Sequence, residues 1–200
     1  MTAALSASLG GSPSRSEAQG EPPLAPFAAQ AVSVTPVQFL RADSAAPLHA
    51  AQWAAVRLEL DDSIGVALAE RGLGKKWAYA ADLARLAKRN VGYVSDPYTL
   101  GAGGLRGRAL KPGEQAPSVV LNNLRSLIAI GDSRYALVPV ELAFTGRGAD
   151  ARMALRVVVL DGRGGEVVWY SDLMAVAPAQ FGSAEIGALA QRVADLVIAR

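Results

Sequence analysis

Two hundred residues, 51% of them hydrophobic and 19% charged, supply enough chain for one or two domains with a sizeable core, and that balance excludes a fully disordered protein. Cysteine is absent and histidine occurs once, as His49, which excludes disulfide staples, thiolate chemistry, cysteine-held zinc and any site built on two histidines. The formal net charge of +2 conceals a basic block, because residues 71–111 carry nine Lys and Arg side chains against only Asp82 and Asp96.

The first thirty residues are rich in Ala, Ser, Gly and Pro and contain one base, Arg15. They offer too little apolar surface to offset ordering entropy, so residues 1–30 read as a disordered tail or the remnant of a targeting segment, with disorder through about Pro26. A secretory signal needs a basic stretch followed by a continuous apolar run, and neither is present in this form. Charged residues also interrupt every long apolar run before the ~18 residues that a membrane-spanning helix requires.

Residues 31–200 read as one α/β domain. Ala31–Leu40 alternates Val32 and Val34, then Val37 and Phe39, with Pro36 shifting the phase; this is a strand with an edge or bulge at the proline. From about residue 50, Trp53, Val56, Leu60, Ile64 and Ala67/Leu68 recur every three or four positions, predicting an amphipathic helix. Arg57, Asp61 and Asp62 lie away from its apolar stripe. Gly72 ends the helix in the left-handed conformation, and Leu73 packs back on it.

Trp77–Tyr79 reads as a link or short strand, and Ala81–Lys88 as a second helix. Its bases Arg85, Lys88 and Arg89 fall near the carboxyl end, where cations complement the helix dipole. Gly and Pro punctuate residues 90–116, which read as a long irregular connection, so that 73–116 together form an inserted basic helix and loop. Pro117 opens a third helix, in which Val120, Leu124, Leu127 and Ile128 share a face until Gly131 stops it.

Three strands follow. The first, Tyr135–Phe144, places Ala136, Val138, Val140 and Leu142 on one side and Tyr135, Leu137, Pro139 and Glu141 on the other, with Pro139 marking an edge or bulge. The second is Ala151–Leu160, and a glycine-rich hairpin over 161–165 leads to a return strand that begins at Glu166. Ser183 caps a last helix whose stripe is Ile186, Leu189, Ala190, Val193 and Val197. Strands and helices in this order bury every stripe most simply as a single two-layer α/β (α+β) domain, a mainly antiparallel sheet flanked by helices.

The run Ser133–Leu137, the strand Ala154-Leu155-Arg156-Val157-Val158-Val159-Leu160-Asp161 and the turn Gly164-Gly165-Glu166-Val167-Val168-Trp169, closed by an amphipathic helix, resemble α/β domains of bacterial envelope proteins of the TolB amino-terminal and curli-export (CsgG-like) type. Val32–Val37 followed by a long helix is similar to the opening of those domains. The resemblance spans about 31–72 and 117–199, leaving 73–116 as the insertion. It implies an envelope-associated binding or assembly module and a periplasmic or secreted location; the sequence as written, without a visible signal, leaves a cytoplasmic location as the alternative.

The chemistry-bearing residues form no recognisable catalytic set. Gly101–Gly107 lacks the spacing of a dinucleotide loop, since Arg106 stands where glycine is required, and no Gly-Lys-Ser/Thr of a triphosphate loop occurs. Asp61 and Asp62 are adjacent on a helix, so their side chains diverge by about 100° and read as solvated surface. His49 has no sequence partner for a triad or a ligand set. The aromatic residues Trp53, Trp77, Trp169, Tyr79, Tyr93, Tyr98, Tyr135 and Tyr170 read as core and rim, with a binding groove as the alternative.

The expected function is therefore non-enzymatic, an envelope-associated or secreted module acting through protein–protein contacts, with no cofactor and no metal. The alternative is an anion-binding module in which 71–111 recognises nucleic acid, anionic lipid or a phosphorylated ligand. Its contacts would be Arg106, Arg108 and Lys111, on a glycine-rich loop whose backbone can approach a ligand closely.

Overall fold

A computed structural model of the chain describes residues 21–43, 52–146, 151–176 and 182–199. His49 lies outside the described residues. In chain order the elements are β1 (Val32–Val34), β2 (Phe39–Ala42), α1 (Trp53–Glu70), β3 (Trp77–Ala78), α2 (Ala80–Arg89), α3 (Ser118–Ile130), β4 (Tyr135–Thr145), β5 (Arg152–Asp161), β6 (Glu166–Val176) and α4 (Ser183–Asp195). The six strands form one mixed sheet in the order β3-β1-β4-β5-β6, with β2 also on β4. The three long strands are a simple antiparallel meander. The short ones pair in parallel, β1 and β2 with β4 and β3 with β1, which demands crossovers that the intervening helices supply.

Both proline signals resolve at one level of this sheet. The strand expected over 31–40 is two strands, β1 and β2, aligned along β4 and separated by Thr35–Gln38. Opposite this break lies a bulge between Pro139 and Glu141 on β4. The missing Pro139 N–H thus costs no ladder bond in a central strand, while its carbonyl accepts Gln38 N–H at 3.0 Å. The bulge reverses the alternation: Leu142 joins Leu137 on one face, and Glu141 leaves that side.

The α+β class, the predominance of antiparallel pairing and the flanking helices match the sequence reading. The layering does not, because apolar side chains fill both faces of the sheet and make three layers instead of two. On one face, Leu60, Ile64 and Leu68 of α1 and Leu189 and Val193 of α4 pack on Leu137, Leu142, Phe144, Leu155 and Val157. On the other, Val120, Leu124 and Leu127 of α3 pack on Ala136, Val138, Val158 and Leu160.

The long irregular connection expected over 90–116 contributes to this second face: Leu100, Ala102, Leu105 and Leu110 are buried in the same core. Glycine allows the approach, since a Cβ on Gly101 would lie 2.5 Å from Val119 Cγ1 and one on Gly104 would lie 2.7 Å from Pro117 Cγ. Ordering also begins earlier than Pro26. Leu24 is buried and its N–H donates to Leu196 O at 2.8 Å, and Phe27 meets the Tyr135 ring edge-on with centroids 4.9 Å apart.

Candidate functional site

Helix α1 has two unlike sides. Its stripe is buried on the sheet, whereas Leu58 on the opposite side is 52% exposed. Beside Leu58, Ala84 and Ala87 of α2 and, from the segment that follows, Val91, Val94, Pro97 and Tyr98 line an apolar groove of about 560 Å³. The chain turns sharply as it leaves α2. Asn90 Nδ2 donates to Leu86 O at 2.8 Å, Asn90 O accepts the N–H groups of Tyr93 and Val94, and Gly92 takes φ of +85°. This turn anchors Val94 in the core and projects Val91 and Tyr93, which are 80% and 85% exposed. Among the eight aromatic residues named from sequence, Tyr98 lines the groove and Tyr93 stands exposed on the turn between the lining residues Gly92 and Val94; Trp53, Trp77, Trp169, Tyr79 and Tyr135 pack on the first core and Tyr170 on the second.

A buried polar cluster lies behind the groove. Because the ladder breaks at Thr35–Gln38, Val37 N–H has no strand partner and donates instead to Asp61 Oδ1 at 2.7 Å. Asp61 is therefore not solvated helix surface, as its sequence position suggests, but only 6% exposed. Burial pushes its carboxyl up to about 7, against the opposing pulls of Val37 N–H and the Arg57 guanidinium, while the Asp62 charge adds to the rise. Arg57 in turn sits 6.0 Å from the Tyr98 ring centroid. The Tyr98 hydroxyl is raised as well, by burial first and then by the Asp61 and Asp62 charges. Gln38 ties the same break to the loop: its Nε2 donates to Pro36 O at 2.8 Å and Pro97 O at 2.9 Å, and its Oε1 accepts Leu100 N–H at 3.0 Å.

The bases singled out as anion contacts stand elsewhere, on the sheet face covered by the loop. Arg106 Nε donates to Glu141 Oε1 at 3.0 Å, its Nη2 binds the same oxygen, and its guanidinium lies 4.4 Å from the Phe39 ring centroid. Arg41 also reaches Glu141, at 3.4 Å. Arg108 pairs with Glu114 at 2.7 Å, which holds that carboxyl below its ordinary value chiefly through this hydrogen bond. Lys111 is exposed on the same loop. The arrangement places carboxylates on Arg106 and Arg108. The rest of the basic block is dispersed: Arg71 ties the end of α1 to Asp195 in the last turn of α4 at 2.5 Å, and Arg85 pairs with Asp82.

Sequence reasoning missed Leu58 and Val91 and misplaced Asp61 on the surface. Leu58 left a signal, an apolar side chain on the polar side of an amphipathic pattern, and so did Val91 and Tyr93, two large side chains flanking a turn glycine. Asp61 shares a row with Ile64 and Leu68, at spacings of three and seven, which places it at the edge of the buried stripe.

No family model and no curated protein matches the chain. Among solved structures it is similar to the dodecamer of a point variant of PelC from Paraburkholderia phytofirmans, with 13% identity and a TM-score of 0.43 over 89% of this chain and 95% of that one. It is also similar to lipoprotein GNA1162 from Neisseria meningitidis, with 16% identity and a TM-score of 0.43 over 82% and 93%. The LpoB C-terminal domain from Salmonella enterica gives 14% identity and a TM-score of 0.39 over 74% and 82%. None of these likenesses carries a site residue over to this chain.

Proposed function

We infer that the protein is a non-enzymatic module acting through protein–protein contacts. The observation that carries this reading is the apolar groove between α1 and α2, with Val91 and Tyr93 projecting beside it. Large side chains held out of the core by a hydrogen-bonded turn are what a contact surface needs, since they bury area on docking with little further loss of freedom. The groove lining supports the same reading, being Leu, Ala, Val, Gly, Pro and Tyr with one Lys and one Asp. The resemblance of Ala154–Trp169 to TolB and CsgG-like domains supports a place in the bacterial envelope. No helix among the described residues is long and apolar enough to cross a membrane.

Photo-crosslinking in the native host tests this. A photoreactive residue at Tyr93 is expected to give a defined adduct that Leu58→Glu abolishes, while the same residue at Arg163, on the far hairpin, gives none. Equal labelling from both positions, or none from either, would overturn the assignment.

A further inference from the structure

The groove and its neighbouring projection belong to one patch, and this bears on what can occupy it. Tyr93 stands beside a groove of about 560 Å³ without filling it. The turn that carries Tyr93 is held by the Asn90 bonds, so the projection is organised before any partner arrives. Two charges line the groove on either side of that turn in sequence: Lys88 in the last turn of α2 and Asp96 just beyond Val94. Both are exposed, and neither forms an ion pair among the described residues. Asp96 spends Oδ1 on Tyr98 N–H at 2.9 Å, which leaves its second oxygen for another donor.

Resting on the protein-contact reading above, we propose that the occupant of this groove is a second copy of the same chain, docked about a two-fold axis so that Tyr93 of each enters the groove of the other. A two-fold interface is isologous: if residue i meets residue j, then j meets i. A surface suited to it must therefore carry its own complement, and this one does in two respects. It holds a projection and a recess side by side. It also holds one cation and one anion, and in the proposed dimer Lys88 of each copy faces Asp96 of the other. A partner of single charge sign would gain one of these contacts and meet repulsion at the other.

Sedimentation equilibrium on the full chain tests this, with a charge-swap series. The wild-type protein is expected to rise with concentration from the monomer mass toward twice that mass. Tyr93→Ser is expected to weaken association about 100-fold, because a hot spot worth roughly tenfold counts twice at a two-fold interface. Lys88→Glu and Asp96→Lys are each expected to remain monomeric, since each sets like charges together. An equimolar mixture of the two is expected to associate, because the introduced carboxylate of one variant then faces the introduced ammonium of the other, and the remaining native Asp96 faces the remaining native Lys88. Asp96→Asn keeps the acceptor for Tyr98 N–H, so its unchanged thermal midpoint beside a weakened association would separate charge from folding.

A wild-type monomer at every concentration, or a mixture no better associated than its components, would overturn the proposal. If Tyr93 then still crosslinks in the host to a different polypeptide, the protein-contact reading stands and only self-docking falls. If the monomer gives no adduct either, both fall.

Discussion

Asp61 occupies a position where ionisation is expensive, and the cost has a predictable sign. Its carboxyl is raised from 3.8 to about 7 by burial, so the folded state holds a proton that the unfolded chain releases above about pH 4. The contribution to stability is fully present below that point and is lost as pH rises through about 7, after which it is flat. Asp61→Asn keeps a carbonyl to accept Val37 N–H but cannot ionise. Urea unfolding is expected to show the variant more stable than wild type by a few kcal/mol at pH 8, with the difference vanishing near pH 4. A constant difference across that range would mean that Asp61 is ionised throughout. Asp161 behaves in the opposite sense. Burial alone would raise it, but Arg134 and the N–H groups of Gly164 and Arg163 together outweigh burial and hold it below its ordinary value, so its contribution is lost as pH falls. The comparison of Asp61→Asn with wild type removes that shared acid limb.

The loop bases differ from one another in the same way. Arg106 covers Glu141, which is 9% exposed, and stacks on Phe39. Removing it would leave a mostly buried carboxylate with only the longer, more exposed Arg41 contact. Arg106→Gln is expected to cost about 1–3 kcal/mol, less than a fully buried pair because its own side chain is 35% exposed. Arg108→Gln, whose partner Glu114 lies at the surface, is expected to leave the unfolding midpoint nearly unchanged. Equal effects would show that the Glu141 contact has no special weight.

Among the elements, the segment 94–116 joins α2 and α3 in covering the second face of the sheet. It can do so because Gly101 and Gly104 let its backbone lie against Val119 and Pro117. Gly101 also has φ of +75°. Gly101→Ala therefore combines left-handed strain with overlap on Val119, and a loss of about 1–3 kcal/mol is expected. Gly103, with an ordinary φ and open space around its Cα, provides the control: Gly103→Ala is expected to change little. Thermal unfolding of the two variants side by side decides whether the loop is packed as tightly as its buried leucines indicate.

Across the molecule, the two ends of the described domain meet. Leu24 binds the backbone of Leu196, Lys76 Nζ reaches Ala29 O at 3.0 Å, and Arg71 binds both Asp195 and Ile198 O. The segment before β1, the end of α1 and the residues after α4 are thus joined at one corner of the first core. Leu24→Ala is expected to cost about 2–5 kcal/mol, as for other fully buried leucines. A loss below about 0.5 kcal/mol, within the range of ordinary surface substitutions, would show that the segment is an ornament on the domain and not part of it.

Local pattern was enough to place the four helices, the three long strands, the bend at each proline and the hydrophobic stripes of α1, α3 and α4. Each of these is a period of 3.6 or 2 interrupted by Gly or Pro, and the chain need only be read over one element to find it. That the sheet is covered on both faces emerged only from the assembled fold. The residues covering the second face include Leu100, Leu105 and Leu110, whose spacing of five fits neither a helix nor a strand, so their burial depends on contacts with strands far along the chain. The same holds for the polar residues. Asp61 is buried because β1 and β2 part company and leave Val37 N–H facing α1, and Arg106 is paired because a bulge turns Glu141 toward the loop. The prolines mark where the sheet is irregular, but not which side chains that irregularity reorients: the first event arises where strands about a hundred positions apart stop pairing, and the second from a register shift between β4 and β5. The groove joins the same class: Leu58 and Val91 show individually in the sequence as misplaced apolar residues, but only the packing of α1 beside α2 sets them on one surface.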